Sequence, residues 1–262
     1  MIFITRRGYK LMVNKDMQKL YALAWVEWRL RQQSTFLGFL WTMFNPALMF
    51  SVLYVVFVKW MGNHQNDYAL FLIIGIVEWN FFSSSTSYTL TTLQRRAPLL
   101  QNYPLKPEIA ALASTLSGYY SHLLELAALA ILLIMFGGRL HASWLWLIPL
   151  DILYLSLVAG TSMLLACLYI FFMDLDRIWG IILMAGFFMT PIFFPLSVIE
   201  PARRRILELN PITAIIETAR LAFSGGTPHP QAVLCAALWA LAALAAGFCA
   251  LRLNRARIGD AL

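Results

Sequence analysis

Residues 144–172 read WLWLIPLDILYLSLVAGTSMLLACLYIFF, an almost wholly apolar stretch with one charged side chain, Asp151. A helix needs about 20 apolar residues to cross the roughly 30 Å hydrocarbon core of a bilayer. Because a segment in lipid must satisfy its own backbone polar groups, such a stretch is expected to be helical. It therefore predicts a helix that spans a membrane.

Five further stretches have the same character, and the six together fill most of the chain. The 262 residues are 60% hydrophobic and 13% charged, whereas ordinary soluble domains carry about 25% charged residues. We expect an all-α polytopic membrane protein with one transmembrane domain, residues 1–262. The predicted spans are 36–58, 69–91, 109–136, 144–172, 178–198 and 231–251.

An amphipathic segment precedes the first span. Residues 16–33 mix apolar and charged side chains at a spacing near 3.6, with Trp25 and Trp28 beside Arg29 and Arg31. This combination is typical of a helix lying in the membrane interface. A soluble amphipathic helix packed on a partner fits the same pattern, and the two are compatible.

Between the last two predicted spans, residues 199–224 are only partly apolar and predict two short helices. The first would begin at Pro201. Asn210 is a suitable cap for the second, which has Pro211 at its first position and a stop at Gly225–Gly226. Each helix is too short to span, so we expect a re-entrant helical hairpin on the outer side.

The net charge is +7, from 20 basic and 13 acidic residues. The basic residues lie mainly at helix ends and in loops, so anionic lipid and topology explain them better than nucleic acid. Most of them fall in segments on the same side as the N-terminus. The positive-inside rule therefore favours cytoplasmic termini, with the cluster Arg203–Arg205 as the main exception.

Common catalytic and nucleotide-binding motifs are absent from the sequence. It contains no GxxxxGK[ST] phosphate loop, GxSxG or HExxH, and so does not bind nucleotide by that loop. Cys167, Cys235 and Cys249 lie in apolar stretches without zinc or disulfide spacing. We expect no metal site and no cofactor in this chain.

Four polar residues within or near the spans are the candidates for chemistry. Intramembrane carboxylates such as Glu78 and Asp151 are costly and often functional, although Glu78 could equally face a neighbouring helix. His122 and Glu125 share a helix face, which more often means an internal hydrogen-bonded pair than a metal site. A membrane-embedded enzyme acting on a lipid would need these groups at one depth. The sequence places Asp151 nearer the outer end of its span than His122.

Aromatic residues form two groups on the first and fifth predicted spans. They serve either as packing or lipid-facing surface, or as a platform on which sugar rings slide by stacking. The sequence does not rank these interpretations. The groups are Phe50, Tyr54 and Phe57, and Phe187, Phe188, Phe193 and Phe194.

Several stretches resemble the permease subunit of type-2 ABC exporters, in the branch that exports O-antigen, capsular polysaccharide and teichoic acid. They occur in the family's order over nearly the whole chain. Two positions depart from the family pattern: Glu78 before the tryptophan, and Met173–Asp174 where an Arg-Asp pair is usual. The matching stretches are FLGFLWTMFNP (36–46), GIVEWNFF (75–82), LLQNYPLKPE (99–108), MTPIFFP (189–195) and LNPITAIIETAR (209–220).

The resemblance implies a non-enzymatic half-transporter in the bacterial inner membrane. It would pair with a second copy of itself and with two separate ATPase subunits, which bind ATP and Mg. Its substrate would be a polyprenyl-linked glycan, and membrane lipids would surround it. A type-2 exporter of drugs or small molecules is the alternative within the same family.

The resemblance also assigns regions to roles. Residues 95–108 would form a coupling helix on the ATPase, the short turn near 174 a second contact, and 199–224 the outer gate. The candidate pathway residues are Phe50, Tyr54, Phe57, Glu78, Trp79, Phe187 and Phe188. The candidate coupling residues are Arg95, Arg96, Asn102, Tyr103, Lys106, Asp174 and Arg177. The candidate gate residues are Arg203, Arg204, Arg205, Asn210 and Pro211.

Overall fold

The computed structural model describes residues 6–33, 40–62, 67–135 and 140–261, and within these ranges the chain is helical without strands. The predicted all-α class is confirmed. The α-helices are α1 (Arg6–Gln33), α2 (Leu40–Tyr54), α3 (Tyr68–Leu90), α4 (Thr92–Arg95), α5 (Ala97–Asn102), α6 (Pro107–Met135), α7 (Leu147–Phe171), α8 (Leu175–Met189), α9 (Pro201–Glu208), α10 (Pro211–Phe223), α11 (Pro230–Leu253) and α12 (Arg255–Ala261).

Five helical segments of the described chain are long and apolar enough to cross a membrane, so this is a multi-pass membrane protein. They correspond to predicted spans one to four and six. The start of the first predicted span, 36–39, and the predicted stop at Gly137–Gly138 lie outside the described residues. The segments are Met43–Trp60, Tyr68–Leu90, Pro107–Met135, Ala142–Phe171 and Pro230–Leu253.

The predicted fifth span, 178–198, is wrong as a continuous helix. Its helix, α8, has 15 residues, which at 1.5 Å per residue reach about 22 Å. Thr190 is extended (φ −93°, ψ 141°), as expected for a residue that precedes a proline, here Pro191. The chain therefore leaves the helix before it has crossed a bilayer, and six crossings remain a prediction.

The N-terminal helix α1 is longer than the predicted 16–33 and packs along α6. Ala24 and Glu27 are buried, whereas Tyr21, Trp25 and Leu30 are exposed. One face of the helix thus packs on the rest of the protein. The other face is apolar and remains exposed in the described part of the chain. Its position in the membrane interface stays a prediction.

The core lies among α3, α6, α7, α10 and α11. The tightest contact joins α7 to α11, where a methyl group added to Gly160 would lie 2.2 Å from the backbone carbon of Ala243. Gly247 on α11 leaves similarly little space against Gly160. Small residues let membrane helices approach closely enough for extensive van der Waals contact.

Two short helices follow α8, as predicted. Asn210 Oδ1 accepts a hydrogen bond of 3.0 Å from the Ile212 amide, and Pro211 begins α10, so the predicted cap is confirmed. The first of the two helices, α9, is exposed, whereas most of α10 is buried against α3, α7 and α11. Re-entry of the pair into the membrane stays a prediction.

Candidate functional site

An apolar cleft of about 620 Å³ opens between α2, α3 and α8. It contains three of the predicted pathway residues: Trp79, Phe187 and Phe188. Phe187 is buried, and its ring centroid lies 6.0 Å from that of Trp79. Phe188 is 62% exposed, so its ring is available to a ligand or to a second protein chain.

The predicted aromatic stripe on α2 lies beside this cleft and does not line it. Phe50 packs on Tyr54, with centroids 5.5 Å apart. Phe57 stacks on Phe193 at 5.4 Å, and Phe193 in turn contacts Phe188 at 6.0 Å. Phe57 is part of a six-residue π-helical turn, Val55–Trp60. The stripe therefore contacts the cleft indirectly, because Phe193 packs between Phe57 and the cleft residue Phe188.

Glu78 lies away from the cleft, buried between α3, α6 and α7. Its Oε2 is 3.7 Å from His122 Nε2, and the same nitrogen is 3.5 Å from Asp151 Oδ1. The expectation that Asp151 and His122 lie at different depths is wrong. A 3₁₀ turn, Ala142–Trp146, precedes α7 and extends that span outward, which places Asp151 deeper.

The cluster Glu78–His122–Asp151 is enclosed by aromatic rings. His122 stacks on Phe81 with centroids 4.3 Å apart, and Tyr119 Oη donates to Asp151 Oδ2 at 3.2 Å. Among the described residues no group of three or more ligands has a geometry that could hold a metal ion. The arrangement fits an internal polar contact that holds three helices together.

Glu125 forms a separate contact beside this cluster. It accepts a hydrogen bond of 3.1 Å from Asn80 Nδ2, so it joins α6 to α3. His122 and Glu125 both line a cavity of about 210 Å³ that reaches Asn45 on α2. The predicted shared face of His122 and Glu125 is thus real, and its partners are on other helices.

The predicted coupling region, 95–108, consists of α4, α5 and an extended segment. Arg96 Nη2 pairs with Glu27 of α1 at 2.5 Å, and Lys106 pairs with Asp16 of α1. Lys19 also donates to the Pro104 carbonyl at 3.0 Å. The structure thus fastens this region to α1, and two of the predicted coupling residues are used for that purpose.

The remaining coupling candidates differ in accessibility. Arg95 folds back onto α3, where its Nη2 donates to the Tyr88 carbonyl at 2.8 Å. Asn102 and Tyr103 are exposed. Asp174, which precedes α8, and Arg177, in the first turn of α8, are 85% and 84% exposed. These four exposed residues are free to contact another protein.

On the outer hairpin the three predicted arginines lie on the surface of α9. Arg203 faces Glu200 at 3.6 Å, and Arg204 pairs with Glu208 at 2.7 Å. Exposed pairs of this kind contribute little to stability. The three guanidinium groups therefore remain available to an external anion.

Arg220 on α10 is the residue of the hairpin that sequence reasoning missed. It is 8% exposed, and it donates to the carbonyls of Phe71 at 3.1 Å, Pro191 at 2.8 Å and Ile192 at 2.8 Å. Its Nη1 also pairs with Glu217 at 2.7 Å. A single arginine on the otherwise apolar face of residues 212–223 is the signal that could have identified it.

Long apolar helices with a cleft between them define a multi-pass membrane protein. The model of the ABC-2 type transporter family matches residues 18–223. The chain therefore belongs to the ABC-2 type transporter family.

Three named proteins are similar in sequence to most of this chain. The O-antigen export system permease protein RfbA of Klebsiella pneumoniae is 28% identical over 200 residues, which are 76% of this chain and 77% of the relative. The protein of the same name from Myxococcus xanthus is 28% identical over 211 residues, 78% of this chain and 79% of its own length. The polysialic acid transport protein KpsM of Escherichia coli is 24% identical over 193 residues, 72% of this chain and 75% of that protein.

Proposed function

We propose that this chain is the permease subunit of an ATP-driven exporter that moves a lipid-linked polysaccharide across the bacterial cytoplasmic membrane. The observation that carries the proposal is the aromatic cleft between α2, α3 and α8. Aromatic rings contact sugars by their faces, and such contacts are weak enough to let a polymer move on. The names of the relatives support a glycan as the substrate.

The open side of the cleft is the surface on which a second copy of the chain fits. Ile181, Met184 and Phe188 of α8 are exposed by 62% or more, and Leu48 and Val52 of α2 are exposed as well. A twofold pairing of these apolar faces would turn two half-open clefts into one enclosed channel. The proposed assembly is a homodimer of permeases with two ATPase subunits.

The ATPase would bind ATP and Mg and would contact the exposed cytoplasmic residues Asn102, Tyr103, Asp174 and Arg177. A groove of about 580 Å³ between residues 100–107 and α12 offers further space for docking. Arg255 Nη2 bonds Glu108 Oε1 at 2.6 Å across this groove. The contact would transmit movement of the coupling region to α6, which begins at Pro107.

The membrane arrangement follows from the same proposal. The protein lies in the inner membrane with both termini in the cytoplasm. Helix α1 lies in the membrane interface, with Trp25 and Leu30 facing lipid. After α8, residues 190–198 and the hairpin α9–α10 complete the fifth crossing. The hairpin then forms the outer gate, and Arg203–Arg205 remain at the headgroups because they cannot cheaply enter hydrocarbon.

A replacement in the cleft tests the function. In a strain that lacks the chromosomal copy, we expect the wild-type gene to restore surface polysaccharide and Phe188→Ala to reduce it severalfold. Leu241→Ala is the matched control, since Leu241 is 65% exposed on α11 and neither lines the cleft nor belongs to the apolar face of α2 and α8. Immunoblotting should show equal assembly with the ATPase for all three.

The result also separates the alternatives. Equal export by the Phe188 and Leu241 variants would mean that the aromatic cleft only packs and does not contact the substrate. Unchanged surface polysaccharide in the deletion strain, with loss of drug or small-molecule efflux, would establish the other substrate class of type-2 exporters. ATP hydrolysis by the purified chain alone would contradict a separate ATPase.

A further inference from the structure

A second groove lies between α1 and the junction of α3 with α4. Its volume is about 520 Å³. Three guanidinium groups line it, those of Arg31, Arg95 and Arg96, together with one carboxylate, that of Glu27. In the proposed orientation this groove opens at the cytoplasmic surface of the membrane.

The carboxylate is already engaged. Glu27 pairs with Arg96 at 2.5 Å and also accepts a hydrogen bond of 2.9 Å from Ser114. Arg96 Nη1 is buried without a hydrogen-bond partner among the described residues. One negative charge thus faces three positive charges, which leaves an excess of two in the groove.

The other two arginines share one aromatic ring. The guanidinium carbons of Arg31 and Arg95 lie 4.3 Å and 3.9 Å from the centroid of Tyr88. Burial lowers the pKa of Arg31, Tyr88 and Glu27 raise it, and the nearby charge of Arg95 lowers it. Within the described part of the chain, Arg31 makes a long hydrogen bond of 3.5 Å, to Ser117. Because Glu27 is already bonded to Arg96 and Ser114, an added anion would stabilise the two like charges of Arg31 and Arg95.

The chemistry of that anion follows from the lining. A guanidinium group is planar and can bind two oxygens of a phosphate at once. The rim of the groove is apolar, since Val26 and Leu30 are exposed by 52% and 61% beside the arginines. A ligand with a phosphate head and a hydrocarbon tail satisfies both parts of the site.

We propose that the groove formed by Arg31, Arg95 and Arg96 binds the phosphate head of a lipid from the cytoplasmic leaflet. The source of the phosphate is either the carrier of a lipid-linked glycan, which rests on the proposed function, or an anionic phospholipid. Because Arg95 and Arg96 begin the proposed coupling region and Arg31 belongs to α1, a bound headgroup would join these two elements.

Lipid binding to the purified permease–ATPase complex tests this without transport or ATP. The probes are radiolabelled polyprenyl phosphate in detergent micelles and phosphatidylglycerol as competitor. We expect Arg31→Gln combined with Arg95→Gln to weaken binding by at least about tenfold, the order that one or two charge-assisted hydrogen bonds supply. Arg95→Gln alone provides a milder variant if the double replacement unfolds, and melting temperatures report folding. Arg31→Lys should retain most of the affinity.

Arg257→Gln is the matched control, because Arg257 is exposed on α12 and does not line the groove, so binding should be unchanged. Competition by phosphatidylglycerol only at large excess assigns the groove to the carrier lipid, and equal competition assigns it to phospholipid. Folded variants that bind polyprenyl phosphate as tightly as the wild-type complex overturn the proposal. Loss of polysaccharide export is not a readout here, so failure of the proposed function would be seen separately, in the deletion strain.

Discussion

The guanidinium group of Arg220 lies 2.8 Å from the carbonyl oxygen of Pro191. The two residues belong to different parts of the outer region, since Pro191 follows the end of α8 and Arg220 lies in the last turn of α10. Non-helical backbone at membrane depth is tolerated only where protein or water satisfies its polar groups. Arg220 satisfies the carbonyl groups of Pro191 and Ile192 in the non-helical segment after α8. Its guanidinium carbon also lies 3.3 Å from the centroid of the Phe71 ring.

Replacing this arginine tests its importance to the hairpin. A lysine at position 220 keeps the charge but cannot reach the carbonyls of Phe71, Pro191 and Ile192 together. Each buried group left without a partner costs about 1–3 kcal/mol, so Arg220→Lys should clearly lower the melting temperature of the detergent-solubilised protein. Arg203→Lys is the control, because Arg203 is 80% exposed. Equal melting of both variants would contradict the assigned contact.

The contact between α7 and α11 gives a second prediction. Gly160→Ala would place a methyl group 2.2 Å from the backbone of Ala243, which forces the helices apart and destabilises the protein by about 1–3 kcal/mol. Gly180 on α8 has nothing within 4 Å of an added methyl group, and Gly180→Ala should be neutral or slightly stabilising in a helix. Thermal unfolding measures both, and a neutral Gly160 variant would disprove the tight contact.

The cluster Glu78–His122–Asp151 gives a third prediction. His122→Ala removes the ring that stacks on Phe81 and lies beside the carboxyl groups of Glu78 and Asp151, and the cavity left in the core should cost about 2–5 kcal/mol. Glu78→Gln keeps the shape of the side chain, so its effect on the melting temperature should be smaller. His229→Ala, at an exposed histidine, is the control. A His122 variant as stable as wild type that has lost export would indicate a direct part in transport.

Crosslinking tests the coupling surface. In a background without the three native cysteines, Tyr103→Cys should form a crosslink with the ATPase subunit, since Tyr103 is 63% exposed. Arg203→Cys, on the outer hairpin, should instead react with membrane-impermeant reagents added outside intact cells. The proposed topology fails if Tyr103→Cys is the variant labelled from outside.

Features encoded within a few residues could be predicted from the sequence. The Asn210–Pro211 cap depends on one side chain and the next amide, and apolar length alone located five of the spans. The early end of α8 was also encoded, since Pro191 disfavours helix at Thr190. The residues after Thr190 are also apolar, so a criterion based on apolar length extended the predicted span beyond the end of α8.

Contacts between distant helices could not be predicted, because they depend on how each helix is rotated about its axis. Glu78 lies next to Trp79 in the chain, yet Trp79 faces the cleft and Glu78 faces His122. Close packing fixes the rotation of α3 about its axis. One such contact joins Ser85 of α3 to Gly118 of α6, where there is no room for an added methyl group. The pairing of Arg96 with Glu27 likewise joins residues on separate helices.

The polar contacts of α3 have a consequence for biogenesis. A helix that carries Glu78 and Asn80 is costly to release into lipid alone, and the partner of Asn80, Glu125, is made 45 residues later. His122 also emerges only with α6. We therefore expect α3 to stay at the insertion machinery until α6 has been made, so that the two helices enter the bilayer together.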